Sequence, residues 1–213
     1  MKILCLIFCF FPLTLCAASP AEVYRQWVTN IVIISNFDTN GDCYMSGGVI
    51  IGDKILACYH SVKEAEIFLE FYDKSKATGT IVRSDKGHDL AIILPSHLPS
   101  ASCLKFEDLP MEIGDVLYQI GNYKQLPFSF SQGYVMYVDR KLEPEGFLHQ
   151  MSIETLPGSS GSLVLTSDGR PIGLTKSIQI NSTKITFAIQ AVDINNFLEW
   201  EDISPVLALK ADK

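Results

Sequence analysis

Leu156-Pro157-Gly158-Ser159-Ser160-Gly161-Ser162-Leu163-Val164 sets two glycines around a pair of serines and passes directly into an apolar, β-type run. Gly158 and Gly161 give the backbone the freedom for a tight loop that presents its N–H groups. Pro157 ahead of the loop and the β-run behind it argue against a floppy Gly/Ser linker. A serine hydroxyl needs an adjacent base to become a nucleophile. Backbone N–H groups aimed at a developing oxyanion contribute roughly 2.7–4 kcal/mol per donor. Ser160 alone stands in a Gly-x-Ser-Gly frame, with Ser159 and Ser162 as alternative nucleophiles.

Two further segments supply the groups such a serine would need. In Ile55-Leu56-Ala57-Cys58-Tyr59-His60-Ser61-Val62 a strand ends and a histidine stands at its edge. A neutral imidazole there suits a general base. Alone, His60 reads more readily as an ordinary surface or packed histidine. In Gly87-His88-Asp89-Leu90-Ala91-Ile92-Ile93-Leu94 an acid sits immediately before a buried-looking strand. A carboxylate there accepts the second imidazole N–H, fixes its tautomer and stabilises the imidazolium. Alone, Asp89 reads as a turn or strand-capping residue. Asp85 competes for the role, and Asp89 is preferred because it abuts the apolar strand. Each signal is weak by itself. Their appearance together in the order His, Asp, Ser is much stronger.

The surrounding texture is β-structure. Ile31–Ile34, Val49–Ile51, Ile55–Ala57, Ile67–Tyr72 and Thr80–Val82 form one batch of short β-branched or aromatic runs. Val116–Ile120, Tyr134–Val138, Leu163–Leu165, Ile172–Leu174 and Ile185–Ile189 form a second. Gly52-Asp53 and Asp168-Gly169 mark hairpin turns. Pro95, Pro99 and Pro110 lie in the seam between the batches. Many short strands at regular spacing predict a sandwich or closed barrels, not a βαβ fold. Pro20 to Trp27 reads as a short amphipathic helical turn or arm, and Val192 to Trp200 as a helix with Asp193 near its N-terminus.

Composition narrows the class. The 213-residue chain is 47% hydrophobic and 19% charged, as a packed globular core requires. Lys2, the apolar run Ile3 to Leu15 and Cys16-Ala17-Ala18 have the form of a signal peptide, with cleavage expected after Ala17 or Ala18. The run is shorter than a spanning helix and contains Pro12. A secreted or periplasmic product without stable membrane insertion is expected. Losing Lys2 takes the formal charge from −7 to −8. An acidic chain without basic clusters suits neither a phosphate backbone nor an anionic membrane surface. Of six cysteines, Cys43, Cys58 and Cys103 lie beyond the signal. That odd count leaves at least one thiol free or paired with another chain.

The serine loop with the following Ser167-Asp168-Gly169-Arg170-Pro171-Ile172-Gly173-Leu174 resembles the nucleophile loop and hairpin of trypsin-like peptidases, of the HtrA type and the bacterial glutamyl endopeptidases. Gly47-Gly48-Val49-Ile50-Ile51 and the His60 segment resemble the strand pair leading to their histidine. His88-Asp89-Leu90-Ala91-Ile92 resembles their Asp-Leu-Ala strand. Gly114-Asp115-Val116 through Ile120-Gly121-Asn122, then Gly133, resembles the start of their second barrel, and Phe187-Ala188-Ile189 their last strand. The resemblance covers nearly all of residues 28–200. It implies an all-β fold: two six-stranded antiparallel, chymotrypsin-like barrels at about 28–100 and 110–190, and a short C-terminal helix at about 192–200. A signal over 1–18 precedes this 19–200 domain and a polar tail over 201–213 follows it.

The same resemblance implies a serine endopeptidase acting on protein or peptide substrates. Ser160 would be its nucleophile, His60 its base and Asp89 the acid. The N–H groups of Gly158 and Ser160 would form the oxyanion hole. Thr155, Thr175, Lys176 and Ser177 fall where substrate is bound. Thr155 matches a threonine of the glutamyl endopeptidases, whereas Thr175 stands where they carry histidine. Glu154 inward would favour a basic residue, and Lys176 an acidic one. Cys58 precedes the histidine unusually, and pairs with Cys43 across their hairpin or stays a buried thiol. No PDZ module is evident, and a monomer without cofactor or metal is expected. A rival reading keeps the fold as a catalytically silent secreted binding module. A metal site from Cys58, His60, His88 and Cys103 matches no zinc spacing.

Overall fold

The computed structural model describes residues 18–37, 41–62, 66–123, 126–142, 146–176 and 185–199. Residues 1–17 of the expected signal, Ser177, Trp200 and the tail lie outside these residues.

Among the described residues twelve strands close into two antiparallel barrels. The first contains β1 (Ile31–Phe37), β2 (Cys43–Ile51), β3 (Lys54–Cys58), β4 (Ile67–Phe71), β5 (Lys76–Asp85) and β6 (Leu90–Pro95), in the order β1-β2-β3-β6-β5-β4. The second contains β7 (Val116–Tyr123), β8 (Leu126–Leu142), β9 (Gly146–Met151), β10 (Leu163–Thr166), β11 (Pro171–Lys176) and β12 (Thr186–Gln190), in the order β10-β11-β12-β9-β8-β7. Pairing of β1 with β4 and of β10 with β7 removes the free edges. This is the chymotrypsin-like double barrel.

Side-chain alternation explains why the strands at the centre of the fold are apolar throughout, not apolar at every second residue. Val32 and Ile34 of β1, Ile55 and Ala57 of β3 and Ala91 and Ile93 of β6 share one cluster inside the first barrel. Their neighbours Ile31, Ile33, Leu56, Cys58, Leu90 and Ile92 join a different cluster, with Tyr118, Ile120, Leu163, Leu165, Leu174 and Phe187 of the second barrel. Val164, Leu117, Met151 and Ile153 fill the second barrel's interior. Strands buried on both faces lose the period of two and read as continuous runs. Each such side chain contributes roughly 1.5–3 kcal/mol on burial.

Helix α1 (Pro20–Trp27) closes one side of this shared core. The Ser19 hydroxyl accepts from the Glu22 N–H at 3.3 Å, and the Ser19 N–H donates to the Glu22 carboxylate at 2.7 Å, a capping box with Pro20 at the first turn. Trp27 is buried, and its indole N–H donates to the Gly169 carbonyl at 2.7 Å. Residues 191–199 form helix α2, with Ala191, Ile194 and Phe197 buried and the Arg83 guanidinium 4.1 Å from the Phe197 ring centre. Among the described residues no helix is long and apolar enough to cross a membrane.

Candidate active site

Three local structures converge where the barrels meet. The first is the end of β3. Cys58 pairs with Leu90 of β6, and the Tyr59 N–H donates to the Asp89 carbonyl at 3.0 Å, so the chain after β3 stays against the head of β6. A single 3₁₀ turn, Tyr59–Ser61, then brings His60 over Asp89.

The second is Asp89 itself, 5% exposed, with a left-handed φ of 61°. Asp tolerates that region better than most residues. Its Oδ1 accepts the His60 backbone N–H at 2.9 Å, and its Oδ2 lies 2.7 Å from His60 Nδ1. An ionised carboxylate only accepts, so Nδ1 carries the proton and Nε2 the lone pair. That lone pair faces the Ser160 hydroxyl at 2.9 Å. The imidazole is therefore held in the tautomer able to accept a proton from Ser160.

The third is the loop between β9 and β10. The Ser159 N–H donates to Leu156 O at 3.0 Å and the Ser162 N–H to Ser159 O at 3.1 Å. The Gly161 N–H donates to Thr175 O at 2.8 Å, tying the loop to β11, and Gly47 of β2 donates to Ser160 O at 2.8 Å, tying it to the first barrel. Gly158 and Gly161 have φ of 101° and 77°. Among the described residues the N–H groups of Gly158 and Ser160 have no hydrogen-bond acceptor, while those of Ser159, Gly161 and Ser162 are used.

A Cβ on Gly161 would drive into the Gly47 carbonyl. Gly161→Ala should therefore lower stability by roughly 2–4 kcal/mol, combining left-handed strain with overpacking. Gly114, with φ of 99° and nothing within 4 Å of an added Cβ, is the control. Gly114→Ala should shift the urea midpoint far less. Equal shifts would show that the Gly47–Gly161 contact has no energetic weight.

Among the described residues none of the other candidate side chains hydrogen-bonds to His60 or Ser160. Asp85 accepts from the Gly87 N–H at 2.8 Å and lies 2.7 Å from His88 Nδ1, so it organises the turn before β6. Ser159 and Ser162 are fully buried, and the Ser159 hydroxyl accepts from the Leu156 N–H at 3.3 Å. Thr155 is buried, its hydroxyl 2.6 Å from that of Thr186, which donates to Ile153 O at 2.7 Å. The side chain of Thr175 is buried, and its backbone N–H donates to Ser162 O at 2.9 Å. Glu154 is exposed and lies against Tyr123; burial and the Glu154 carboxylate together push that phenol's pKa up. Lys176 places its Nζ 3.9 Å from Asp89 Oδ2, with its side chain only 11% exposed. Nothing in the sequence pattern pointed to that placement, nor to the hold of Gly47 on the Ser160 loop.

All three described cysteines are free thiols, so Cys43 and Cys58 are not paired. Cys58 is buried and donates to Thr175 O at 3.4 Å; burial and then the Asp89 charge push its thiol pKa far up. Donor atoms of Cys58, His60 and Asp89 lie within 4.8 Å of one another. Burial of the Cys58 thiol opposes the thiolate that a metal ligand would need. His88, invoked in the metal reading, is bonded to Asp85 instead.

The model of the trypsin-like peptidase domain matches residues 45–174, which hold all three converging segments. The chain belongs to the trypsin-like peptidase family. Solved structures agree on the fold. A variant of the HtrA-type protease AlgW with tripeptide superimposes with a TM-score of 0.77 at 19% identity, over 85% of this chain and 63% of that one. AlgW itself with tripeptide gives 0.75 at 20% identity, over 84% and 63%. The serine endoprotease from Yersinia pestis gives 0.73 at 23% identity, over 85% and 66%. This trypsin-like peptidase thus spans less than two thirds of each of those chains. No curated protein sequence matches it significantly.

Proposed function

We propose that this trypsin-like peptidase is a secreted serine endopeptidase, acting as a monomer through an acyl-enzyme on Ser160. The observation that carries the reading is the relay from Asp89 Oδ2 to His60 Nδ1 at 2.7 Å and from His60 Nε2 to Ser160 Oγ at 2.9 Å. Ser160 Oγ attacks the scissile carbonyl as its proton passes to His60 Nε2. The tetrahedral oxyanion receives the free N–H groups of Gly158 and Ser160. The imidazolium, steadied by Asp89, gives its proton to the leaving amine. Water then repeats the sequence in reverse and frees Ser160. No cofactor enters any step. Secretion rests on the Lys2-to-Ala18 segment.

The test is a set of internally quenched peptides blocked at both ends, incubated with the purified full chain lacking residues 1–18. Cleavage within the peptides, found by mass spectrometry, is expected. A folded protein that binds these peptides and cleaves none of them would favour the binding-module reading over the enzyme.

A further inference from the structure

Lys176 was expected on the wall that receives substrate. It ends β11, beside Thr175, whose carbonyl takes both the Cys58 thiol and the Gly161 N–H. From there its ammonium turns into the junction between the barrels and reaches 3.9 Å from Asp89 Oδ2. That is the same oxygen that lies 2.7 Å from His60 Nδ1. Lys176 and Asp89 are both shielded, at 11% and 8% side-chain exposure. Water therefore screens this pair far less than a surface ion pair.

We infer that Lys176 is a positioning residue that acts through Asp89 and sets the protonation equilibrium of His60. This deepens the peptidase reading and rests on it. A cation beside Asp89 does two things. It offsets the charge of a nearly buried carboxylate whose Oδ2 holds the imidazole tautomer. It also cancels part of the negative field that would otherwise favour the imidazolium. Lys176 Nζ and His60 Nδ1 both face Asp89 Oδ2, and a nearby like charge disfavours the charged form of an imidazole. The imidazole with Lys176 present therefore loses its proton at lower pH than it would without it. The free-base form needed for attack is available further into the acid range.

Among the described residues, three further groups face this imidazole. Asp89 lies at the head of β6, the Cys58 thiol at the end of β3 and the Ser160 hydroxyl on the loop before β10. The thiol stays neutral because burial and the Asp89 charge raise its pKa. On the neighbouring turn, Lys86 holds its Nζ 5.5 Å from the centre of the Tyr59 ring.

The experiment follows the acid limb of the pH–rate profile in the full chain, read as the second-order rate of fluorophosphonate labelling. Wild type is compared with Lys176→Met, Lys176→Gln and Lys176→Arg. Both neutral variants should move the limb's midpoint upward by about one pH unit, as removal of a nearby like charge does. Lys176→Arg should leave it in place. In parallel, the His60 ring is titrated by NMR in a Ser160→Ala background, with and without Lys176→Met. The same upward shift is expected there.

An unmoved limb and an unmoved His60 titration in the neutral variants would overturn the inference. So would an equal shift in Lys176→Arg. A changed KM for acidic over neutral peptides with an unmoved limb would assign Lys176 to substrate recognition instead. If Lys176→Met does not fold, Lys176→Gln carries the same comparison. If the wild type never labels yet His60 still shifts, the peptidase reading fails and the control of His60 by Lys176 stands.

Discussion

Asp89→Asn leaves both barrels folded and lowers turnover by about 10⁴-fold, the scale seen when a triad acid loses its charge with its geometry intact. The fold survives because asparagine also tolerates the left-handed φ of 61°. Activity does not survive, because the carboxylate serves two donors at once. Oδ1 accepts the His60 backbone N–H at 2.9 Å and Oδ2 faces His60 Nδ1 at 2.7 Å. An amide satisfies one and opposes the other. With its NH₂ toward Nδ1 it imposes the tautomer whose Nε2 carries a proton and cannot take one from Ser160. With its NH₂ toward the backbone it sets donor against donor and displaces the turn. Steady-state kinetics beside calorimetric melting would show the separation of activity from stability. Asp85→Asn is the contrast. It loosens the turn before β6 and touches neither His60 nor Ser160. Equal losses of turnover in the two variants would show that Asp89 is not the orienting acid.

Ser160→Ala has the larger effect, a loss of about 10⁶-fold in turnover, since removing the nucleophile costs as much as removing the whole relay. Its stability should stay close to wild type. Among the described residues the lost hydroxyl has one partner, His60 Nε2, and the loop is held by backbone bonds to Thr175 and Gly47 that alanine retains. Ser159→Ala and Ser162→Ala should not reproduce the loss, because both side chains are sealed from the cleft. A Ser160→Ala protein that retained turnover would move the nucleophile elsewhere.

The fold was legible wherever local signals and burial agreed. Ile31–Ile34, Ile55–Ala57 and Leu163–Leu165 stood out because both faces of those strands are covered, one within a barrel and one between barrels. Gly146–Met151, which became β9, was not anticipated. Its Phe147 is exposed and its His149 buried, so neither alternation nor an apolar run marks it. Strand β5 was seen only at Thr80–Val82, since nine of its ten residues are exposed or half-exposed and many are polar. Strand β8 runs for 17 residues, yet only Tyr134–Val138 was read. Register shifts after Val135 and Tyr137, with Asp139 at a φ of 52°, break its pattern.

The site divides in the same way. His60, Asp89 and Ser160 each occupy a strand edge or a glycine-framed loop, which one sequence displays. Lys176 owes its place to Asp89, on the other barrel, and Gly47 owes its role to the Ser160 loop. Such pairings come from closing two barrels against each other and leave no local trace.

The central claim is that Ser160 is the activated nucleophile. The most direct test is to incubate the folded chain lacking residues 1–18 with a fluorophosphonate and map the adduct by mass spectrometry, beside a Ser160→Ala control. A single adduct on the peptide containing Ser160, lost in the variant, is the expected result. An adduct on another residue, or none on folded protein at any pH where His60 is neutral, would contradict it.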